Sequence, residues 1–318
     1  MKLVVLEGYS LNPGDLDWGR LKALGDVTIY DRTPPEKIVE RALQADAILS
    51  NKTPLTRKIF EQLPALRYIG ILATGYDSVD VKAAIDFGIV VTNIPTYGTQ
   101  SVAQMTFAHI LHIMHHLAEH DKSVQKGEWS KALDYCYWKY PQRELAGLTL
   151  GILGLGRIGK AVAHIGNAFG MEIIYYDKVQ ADDSSLGWKD VPLEILFQES
   201  DVLSLHCPLT PETYEIIDMN HLNMMKKTAV LINTSRGGLI KNNDLATALK
   251  KGIIYAAGLD VLDKEPPPLD HPLLGIPNCF ITPHIAWATH AARSRLLDSA
   301  IENLKCFMKG NPINVVYG

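Results

Sequence analysis

The residues best suited to chemistry begin with three glycines in the run Gly154-Leu155-Gly156-Arg157-Ile158-Gly159. The run follows an apolar stretch, Thr149–Leu153, and opens a helical pattern, Arg157–Phe169. An acid, Asp177, closes the next apolar stretch, 177 − 156 = 21 residues beyond the second glycine. Gly154 suits a tight turn, Gly156 lets the backbone approach a pyrophosphate, and Gly159 lets helix and strand pack closely. The helix N-terminus adds unpaired N–H groups and the positive end of a dipole. Asp177 accepts hydrogen bonds from an adenosine ribose and repels a 2′-phosphate. Glycine loops recur for many reasons, but here the strand, the helix and the acid are all present. The expectation is a dinucleotide site that takes NAD in preference to NADP, with Lys178 leaving some tolerance for the second.

A second group is scattered in sequence. Asn233-Thr234-Ser235-Arg236-Gly237-Gly238 follows one strand candidate, and Gly258-Leu259-Asp260-Val261 ends the next, with Glu265 just beyond it. Thr282-Pro283-His284-Ile285-Ala286-Trp287 ends the last. Ligands of open parallel sheets bind outside the carboxyl ends of the strands. Arg236, Asp260, Glu265 and His284 are therefore expected on the rim that carries the glycine turn. Singly each has a bland role, as a surface arginine, a cap, a solvated acid or a packed histidine. Their succession after consecutive strands favours a chemical one.

These residues need elements to carry them. Leu3–Leu6, Val27–Tyr30, Ala47–Leu49, Tyr68–Leu72 and Ile89–Thr92 read as strands. Helix-length patterns at Pro35–Gln44, Thr56–Leu63 and Val79–Phe87 separate them. A second strand series comprises Thr149–Leu153, Glu172–Tyr176, Val202–Leu205, Ala229–Ile232, Ala256–Leu259 and Cys279–Thr282. Such alternation predicts βαβ units and parallel sheets. The two series also echo each other. Thr53-Pro54-Leu55-Thr56 follows one strand as Cys207-Pro208-Leu209-Thr210 follows another, and Ile69–Tyr76 parallels Ala229–Arg236. The repetition predicts an α/β protein of two doubly wound parallel-sheet domains. Ser101–Glu128 reads as one helical stretch crossing between them, and Ala291–Met308 as a final helix free to return to the first.

Composition sets the outer bounds. A length of 318 residues suits about two domains at ~150 residues each. With 47% hydrophobic and 21% charged residues, the chain is ordinary for a globular protein and unlike a disordered one. Net charge is 31 − 35 = −4, so no broad basic surface points to nucleic acid or anionic membrane. Apolar runs such as Thr149–Leu155 fall far short of the ~20 residues of a membrane span. Met1–Glu7 reads as a first strand, not a signal peptide, because an acid interrupts it at once. Cys136, Cys207, Cys279 and Cys306 are widely spaced, as expected of free thiols in a reducing cytoplasm.

The glycine fingerprint with Asp177, His206–Thr210 (HCPLT), Asn233–Gly238 (NTSRGG), Gly258–Pro266 (GLDVLDKEP) and Thr282–Thr289 (TPHIAWAT) together resemble the NAD-dependent D-2-hydroxyacid dehydrogenases. Leu6–Pro13 (LEGYSLNP), Leu72–Asp80 (LATGYDSVD) and Trp287 bring the chain nearest to their bacterial glycerate dehydrogenase (hydroxypyruvate reductase) group. The resemblance spans nearly the whole chain. It implies a Rossmann NAD-binding domain at 100–288, a discontinuous flavodoxin-like substrate domain at 1–99 and 289–318, a cleft between them, and a homodimer. With the chain ending at Gly318, it also implies that the extra C-terminal regulatory domain of many phosphoglycerate dehydrogenases is absent.

The implied roles follow residue by residue. His284 corresponds to the acid/base, Glu265 to its carboxylate partner, and Arg236 to the arginine that binds the substrate. Ala73, Thr74, Gly75 and Tyr76 would hold a substrate carboxylate oxygen through backbone N–H groups, with Trp287 near the substrate side chain. Arg157 and Ile158 would meet the pyrophosphate. Cys207, Pro208 and Thr213 would lie on the adenosine side. Thr234, Ser235, Asp260 and Ala286 would lie on the nicotinamide side with Arg236 and His284, and Val102 and Thr106 nearby. Many relatives have glycine where Ala286 stands, so its methyl crowds that end of the site. The implied reaction is NADH-dependent reduction of a small 2-keto acid to the D-2-hydroxy acid, hydroxypyruvate or glyoxylate first. Two alternatives remain: another keto acid, D-lactate-forming or branched-chain, or a dinucleotide-sensing corepressor-like protein, since those keep the same three residues. Formate oxidation is disfavoured because that branch carries glutamine in place of Glu265.

His109, His112, His116 and His120 recur at spacings of three, four and four, with His115 beside them. Histidines so spaced can share a zinc. No acid or cysteine completes a site, so they are read as solvated or interface residues and no metal is expected. The aromatic cluster Trp129, Tyr135, Tyr137, Trp138 and Tyr140 suits either satellite packing or a dimer interface.

Overall fold

Short buried runs of aliphatic residues form two parallel sheets, each in its own compact unit. The computed structural model describes residues 1–178 and 187–317, leaving Gly318 outside them. Unit 1 comprises 1–98 and 287–318, and unit 2 comprises 99–286.

In unit 1, β1 (Lys2–Val5), β2 (Asp26–Ile29), β3 (Ala47–Ser50), β4 (Tyr68–Ile71) and β5 (Val90–Thr92) lie in the order β2-β1-β3-β4-β5, all parallel. Helices α1 (Gly19–Lys22), α2 (Ile38–Ala42), α3 (Arg57–Phe60) and α4 (Val81–Asp86) alternate with them. Every residue of β3 and β4 is buried, as parallel strands covered on both faces require. The Asp80 carboxylate caps α4 by accepting the Ala83 N–H at 3.0 Å.

Unit 2 opens with α5 (Thr99–His115) and α6 (Leu117–Gln125). Its core is β6 (Thr149–Leu153), α7 (Arg157–Ala168), β7 (Glu172–Tyr176), β8 (Lys189–Asp190), α8 (Leu193–Glu199), β9 (Val202–Leu205), α9 (Met219–Met224), β10 (Val230–Asn233), α10 (Asn242–Lys251), β11 (Ala256–Leu259) and β12 (Cys279–Ile281). The sheet order β12-β11-β10-β9-β6-β7-β8 reverses between β6 and β9, which is the switch point where such sheets bind ligands. Alternation along the strands divides the core. Leu203, Leu205 and Leu231 pack with α8, α9 and α10, while Val202, Val230 and Ile232 pack with α5 and α7.

The chain then returns to unit 1 through α11 (His290–Met308), capped by the Thr289 hydroxyl. Leu296, Leu297, Ala300, Ile301 and Leu304 of α11 pack on Leu3, Val5, Ala47 and Leu49. Arg293 ties it to the loop after β1, with both guanidinium N–H ends on Asp15 at 2.7 and 2.6 Å.

The expectation for 101–128 needs correction. The helix breaks at His116, whose φ of 49° is left-handed, so α5 and α6 are separate. Of the histidines read as solvated or interface residues, His115 is exposed, His112, His116 and His120 are half-buried, and His109 alone of the five is buried. His109 is 5% exposed and packs where Gly258 makes room, since a Cβ at 258 would come within 2.8 Å of the His109 Cβ. His112 meets Phe280 edge-on at 4.6 Å, and His116 stacks on Tyr140 at 4.7 Å. His120 donates from Nδ1 to the His116 carbonyl at 2.9 Å. Each of these four rings already has a packing or hydrogen-bond partner, which periodicity alone does not reveal. Trp129, Tyr135, Trp138 and Tyr140 are exposed.

Candidate active site

The glycine turn connects β6 to α7, and its geometry explains the glycines. Gly154 has φ +96°, and a Cβ there would come within 2.5 Å of the Cys207 nitrogen. A Cβ at Gly159 would meet the Gly154 carbonyl at 2.2 Å. At Gly156, by contrast, a Cβ would meet nothing within 4 Å. The backbone there is bare and exposed at the N-terminus of α7, together with Arg157, with Ile158 half-buried behind it. Asp177 closes β7 and accepts the Leu155 N–H at 2.7 Å, which holds its carboxylate beside the turn. Open backbone at a helix N-terminus with a fixed acid at the neighbouring strand end fits a dinucleotide. Lys178 lies 3.9 Å from Glu212.

Cys207 follows β9 and forms the floor under Gly154; burial pushes its thiol up to about 11, so it stays uncharged. Ser235 donates its hydroxyl to the Cys207 carbonyl at 2.9 Å, joining the ends of β9 and β10. Pro208 is exposed and its carbonyl accepts the Thr213 hydroxyl at 2.7 Å, closing the turn between them. Thr234 is buried with its hydroxyl 3.0 Å from that of Thr106 on α5. Val102 is buried on the same helix. The structure thus joins Thr106 to the Thr234 end of the sheet.

The loops after β10, β11 and β12 carry the candidate catalytic side chains. Asn233, fully buried, braces the first loop, accepting the Ser235 N–H and donating to the Arg236 carbonyl. Arg236 is exposed, and its guanidinium donates to the Ser235 carbonyl at 2.9 Å. Gly237 lets this loop lie on the next, because a Cβ there would fall 1.9 Å from the Leu262 carbonyl carbon. Leu262 in turn donates its N–H to Glu265 Oε1 at 3.0 Å. Glu265 Oε2 is 2.5 Å from His284 Nδ1. Both side chains are about one-third exposed, at 32% each. With Nδ1–H directed at the carboxylate, the ring presents Nε2 for proton transfer.

Asp260 organises the histidine loop. It is 1% exposed, and its carboxylate accepts the Thr282 hydroxyl at 2.6 Å, the Ile285 N–H at 2.9 Å and the Ala286 N–H at 2.8 Å. His109 adds a second layer through its Nε2, 3.0 Å from the Thr282 hydroxyl. Burial pulls the His109 pKa below 6.5, only partly offset by the charge of Asp260. Ala286 is buried, and its carbonyl accepts the Ser101 hydroxyl at 2.6 Å. The left-handed φ of 56° at His284 is held by the same loop, where its N–H donates to the Asp260 carbonyl at 2.9 Å.

Of the sequence candidates, Glu265 and His284 are brought into direct contact. Arg236 shares the rim through the Gly237 packing, and its guanidinium donates to the Ser235 carbonyl. In unit 1, Ala73–Tyr76 follow β4. The Thr74 hydroxyl donates to the Ile94 carbonyl at 2.9 Å, and the Asn93 side chain donates to the Thr74 carbonyl at 2.8 Å. The N–H groups of 73–76 donate to no protein acceptor among the described residues. Trp287 is half-buried in unit 1, edge-on to Tyr97 at 6.2 Å. Sequence reasoning missed the supporting groups: the Leu262 amide, the Asn233 brace, and the Thr282 hydroxyl. A backbone donor leaves no trace in residue type; Asn233, at the head of the NTSRGG run, and Thr282, two residues before His284, offered a signal.

The family model for the D-isomer specific 2-hydroxyacid dehydrogenase NAD-binding domain matches residues 107–286. A hydroxypyruvate reductase of Blautia hydrogenotrophica is 48% identical, with 99% of each chain covered. A glyoxylate reductase of Korarchaeum cryptofilum is 44% identical over 90% of this chain and 87% of its own. Among solved structures, a D-lactate dehydrogenase from Aquifex aeolicus, complexed with NAD and lactic acid, is similar with a TM-score of 0.86 and 32% identity, covering 100% of this chain and 99% of that one.

Proposed function

Because the chain belongs to the D-isomer specific 2-hydroxyacid dehydrogenase family, we propose that it is an NADH-dependent reductase of hydroxypyruvate, forming D-glycerate, with glyoxylate as a second substrate. The observation that carries this reading is the His284–Glu265 pair, with Glu265 pinned by the Leu262 amide. Nicotinamide, when bound, supplies the hydride. Protonated His284 delivers the proton that the developing alkoxide needs. Glu265 orients the ring and stabilises its charged form. Arg236, a planar cation at the rim, grips the substrate carboxylate and polarises the carbonyl. In unit 1 the amides of Ala73, Thr74, Gly75 and Tyr76 are assigned to a carboxylate oxygen, and Trp287 to the substrate side chain.

For the cofactor, Gly154, Gly156, Arg157, Ile158 and Gly159 are assigned to the pyrophosphate. Cys207, Pro208 and Thr213 are assigned to the adenosine, and Thr234, Ser235, Asp260 and Ala286 to the nicotinamide end. The fixed Asp177 carboxylate supports preference for NADH over NADPH, and the proximity of Lys178 to Glu212 offsets the charge that would favour the latter. The exposed aromatics between Trp129 and Tyr140 support a homodimer. Four free cysteines fit a reducing cytoplasm, and no helix among the described residues is long and apolar enough to cross a membrane.

Loss of NADH absorbance with hydroxypyruvate, glyoxylate, pyruvate and 2-ketoisocaproate tests the substrate. Hydroxypyruvate is expected to have the highest kcat/KM and 2-ketoisocaproate the lowest. Pyruvate or 2-ketoisocaproate on top would refute the substrate while leaving the family intact. Tight NADH binding with no turnover of any of the four would favour the corepressor-like alternative.

A further inference from the structure

Two buried residues bracket the arm that carries Glu265. Between β11 and β12 the chain is exposed from Asp263 to Asp270, with Leu262 buried at one end and His271 at the other. Pro266, Pro267 and Pro268 lie inside this stretch, so three of its eight residues have no backbone N–H to donate. Leu262 belongs to the same buried cluster as Leu259 and Leu273. A Cβ on Gly237 would fall 1.9 Å from the Leu262 carbonyl carbon and 2.3 Å from the Asp263 nitrogen. The peptide joining 262 to 263 thus touches the loop of Arg236, and the Leu262 N–H at its head holds Glu265.

His271 reaches back to this peptide. Only 4% of its side chain is exposed, and both ring nitrogens are used. The Leu273 N–H donates to Nδ1 at 3.3 Å, which places the proton on Nε2, and Nε2 donates to Asp263 Oδ1 at 2.9 Å. The main chain is held as well: the His271 N–H donates to the Pro268 carbonyl at 3.1 Å, and its carbonyl accepts the Leu274 N–H at 3.0 Å. The Asp263 side chain is 51% exposed, so water competes for it and the fixed ring is what keeps it in place. Burying an imidazole costs desolvation that a leucine would not incur. With no nitrogen free, this ring has no proton to exchange with a substrate, and its side-chain partner is the residue next to Leu262.

We propose that His271 is a positioning residue for the reaction. Through Asp263 it fixes the 262–263 peptide, and that peptide sets the Glu265 carboxylate against His284 and seats the Arg236 loop. This rests on the reading of Glu265 as the carboxylate partner of a proton-transferring His284. Without the His271 bond, Asp263 turns to solvent and the carboxylate spends less time aligned with Nδ1. A misplacement of about 1 Å in such a group costs up to about a hundredfold in turnover.

The test is kcat, with the keto acid that the parent turns over fastest, and Kd for NADH. The proteins are the parent, His271→Leu, His271→Gln and Asp263→Ala, and the first and last of these changes again in a Glu265→Ala background. His271→Leu fills the space without a donor and is expected to lower kcat about tenfold or more, with Kd for NADH within about twofold. His271→Gln keeps an N–H near the place of Nε2 and should recover part of the loss. Asp263→Ala removes the acceptor from an exposed position and should match His271→Leu, so it decides the matter even if the leucine variant does not fold. In the Glu265→Ala background both changes should cost little more, since the group they position is gone; such non-additivity marks residues that act through one another. Parent-level kcat in folded Asp263→Ala, or the full loss repeated in the Glu265→Ala background, would overturn the inference. Parent-level kcat in Glu265→Ala alone would instead refute the reading of Glu265, so that variant tells the two failures apart.

Discussion

His284 and Glu265 stand 19 residues apart in sequence, yet Nδ1 and Oε2 are 2.5 Å apart in the folded chain. The contact crosses from the loop after β11 to the loop after β12, and the Leu262 amide keeps the carboxylate from rotating away. A histidine so held has a set tautomer and a set direction, which is what a proton donor to a developing alkoxide requires.

His284→Ala is therefore expected to lower kcat by about 10²–10⁴, with NADH binding retained. Glu265→Gln keeps a hydrogen-bond partner for Nδ1 and removes the charge beside the ring, so kcat is expected to fall with NADH binding retained. Near-parent turnover by folded His284→Ala, measured by NADH oxidation, would remove the histidine from the mechanism.

The Asp177 carboxylate, held beside the glycine turn by the Leu155 amide, is where the proposed cofactor preference can be tested. Asp177→Asn keeps an acceptor for that amide and removes the charge, while Asp177→Ala removes both. Either change should narrow the NADH over NADPH preference in kcat/KM by about tenfold, the effect of ~1.4 kcal/mol. Equal efficiency with both cofactors in the parent would defeat the assignment.

His109 is kept neutral by burial beside Thr282 and Asp260. Its folded pKa lies below 6.5, so the unfolded chain binds the extra proton as pH falls through that value. The stability this group contributes is full above pH ~6.5 and is lost below it, by at most about 1.4 kcal/mol per pH unit. His109→Gln retains a hydrogen-bonding amide and should flatten this acid dependence. Denaturation midpoints at neutral and mildly acidic pH for the two proteins measure it; parallel acid losses would show that other groups carry the effect.

Much of the candidate site was legible in residue types. Glycines at fixed spacing after an apolar run, with an acid closing the following strand, specify a turn and a partner that local backbone physics alone dictates. The strands could be read because a parallel sheet covered on both faces demands unbroken aliphatic runs, as in β3, β4 and β9. Arg236, Glu265 and His284 could be nominated because strand ends in such sheets share one rim.

What holds those residues in place could not be read. The Glu265 anchor is a backbone amide, and Gly237 matters only because Leu262 lies against it. The buried carboxylate of Asp260 serves the His284 loop, and His109, read as solvated or at an interface, is buried because Gly258, on a strand 149 residues away, has no side chain. Periodicity records which positions are apolar, a property of single residues. Which polar group fills which vacancy depends on pairs of residues distant in sequence, so it was decided only when the strands were packed together.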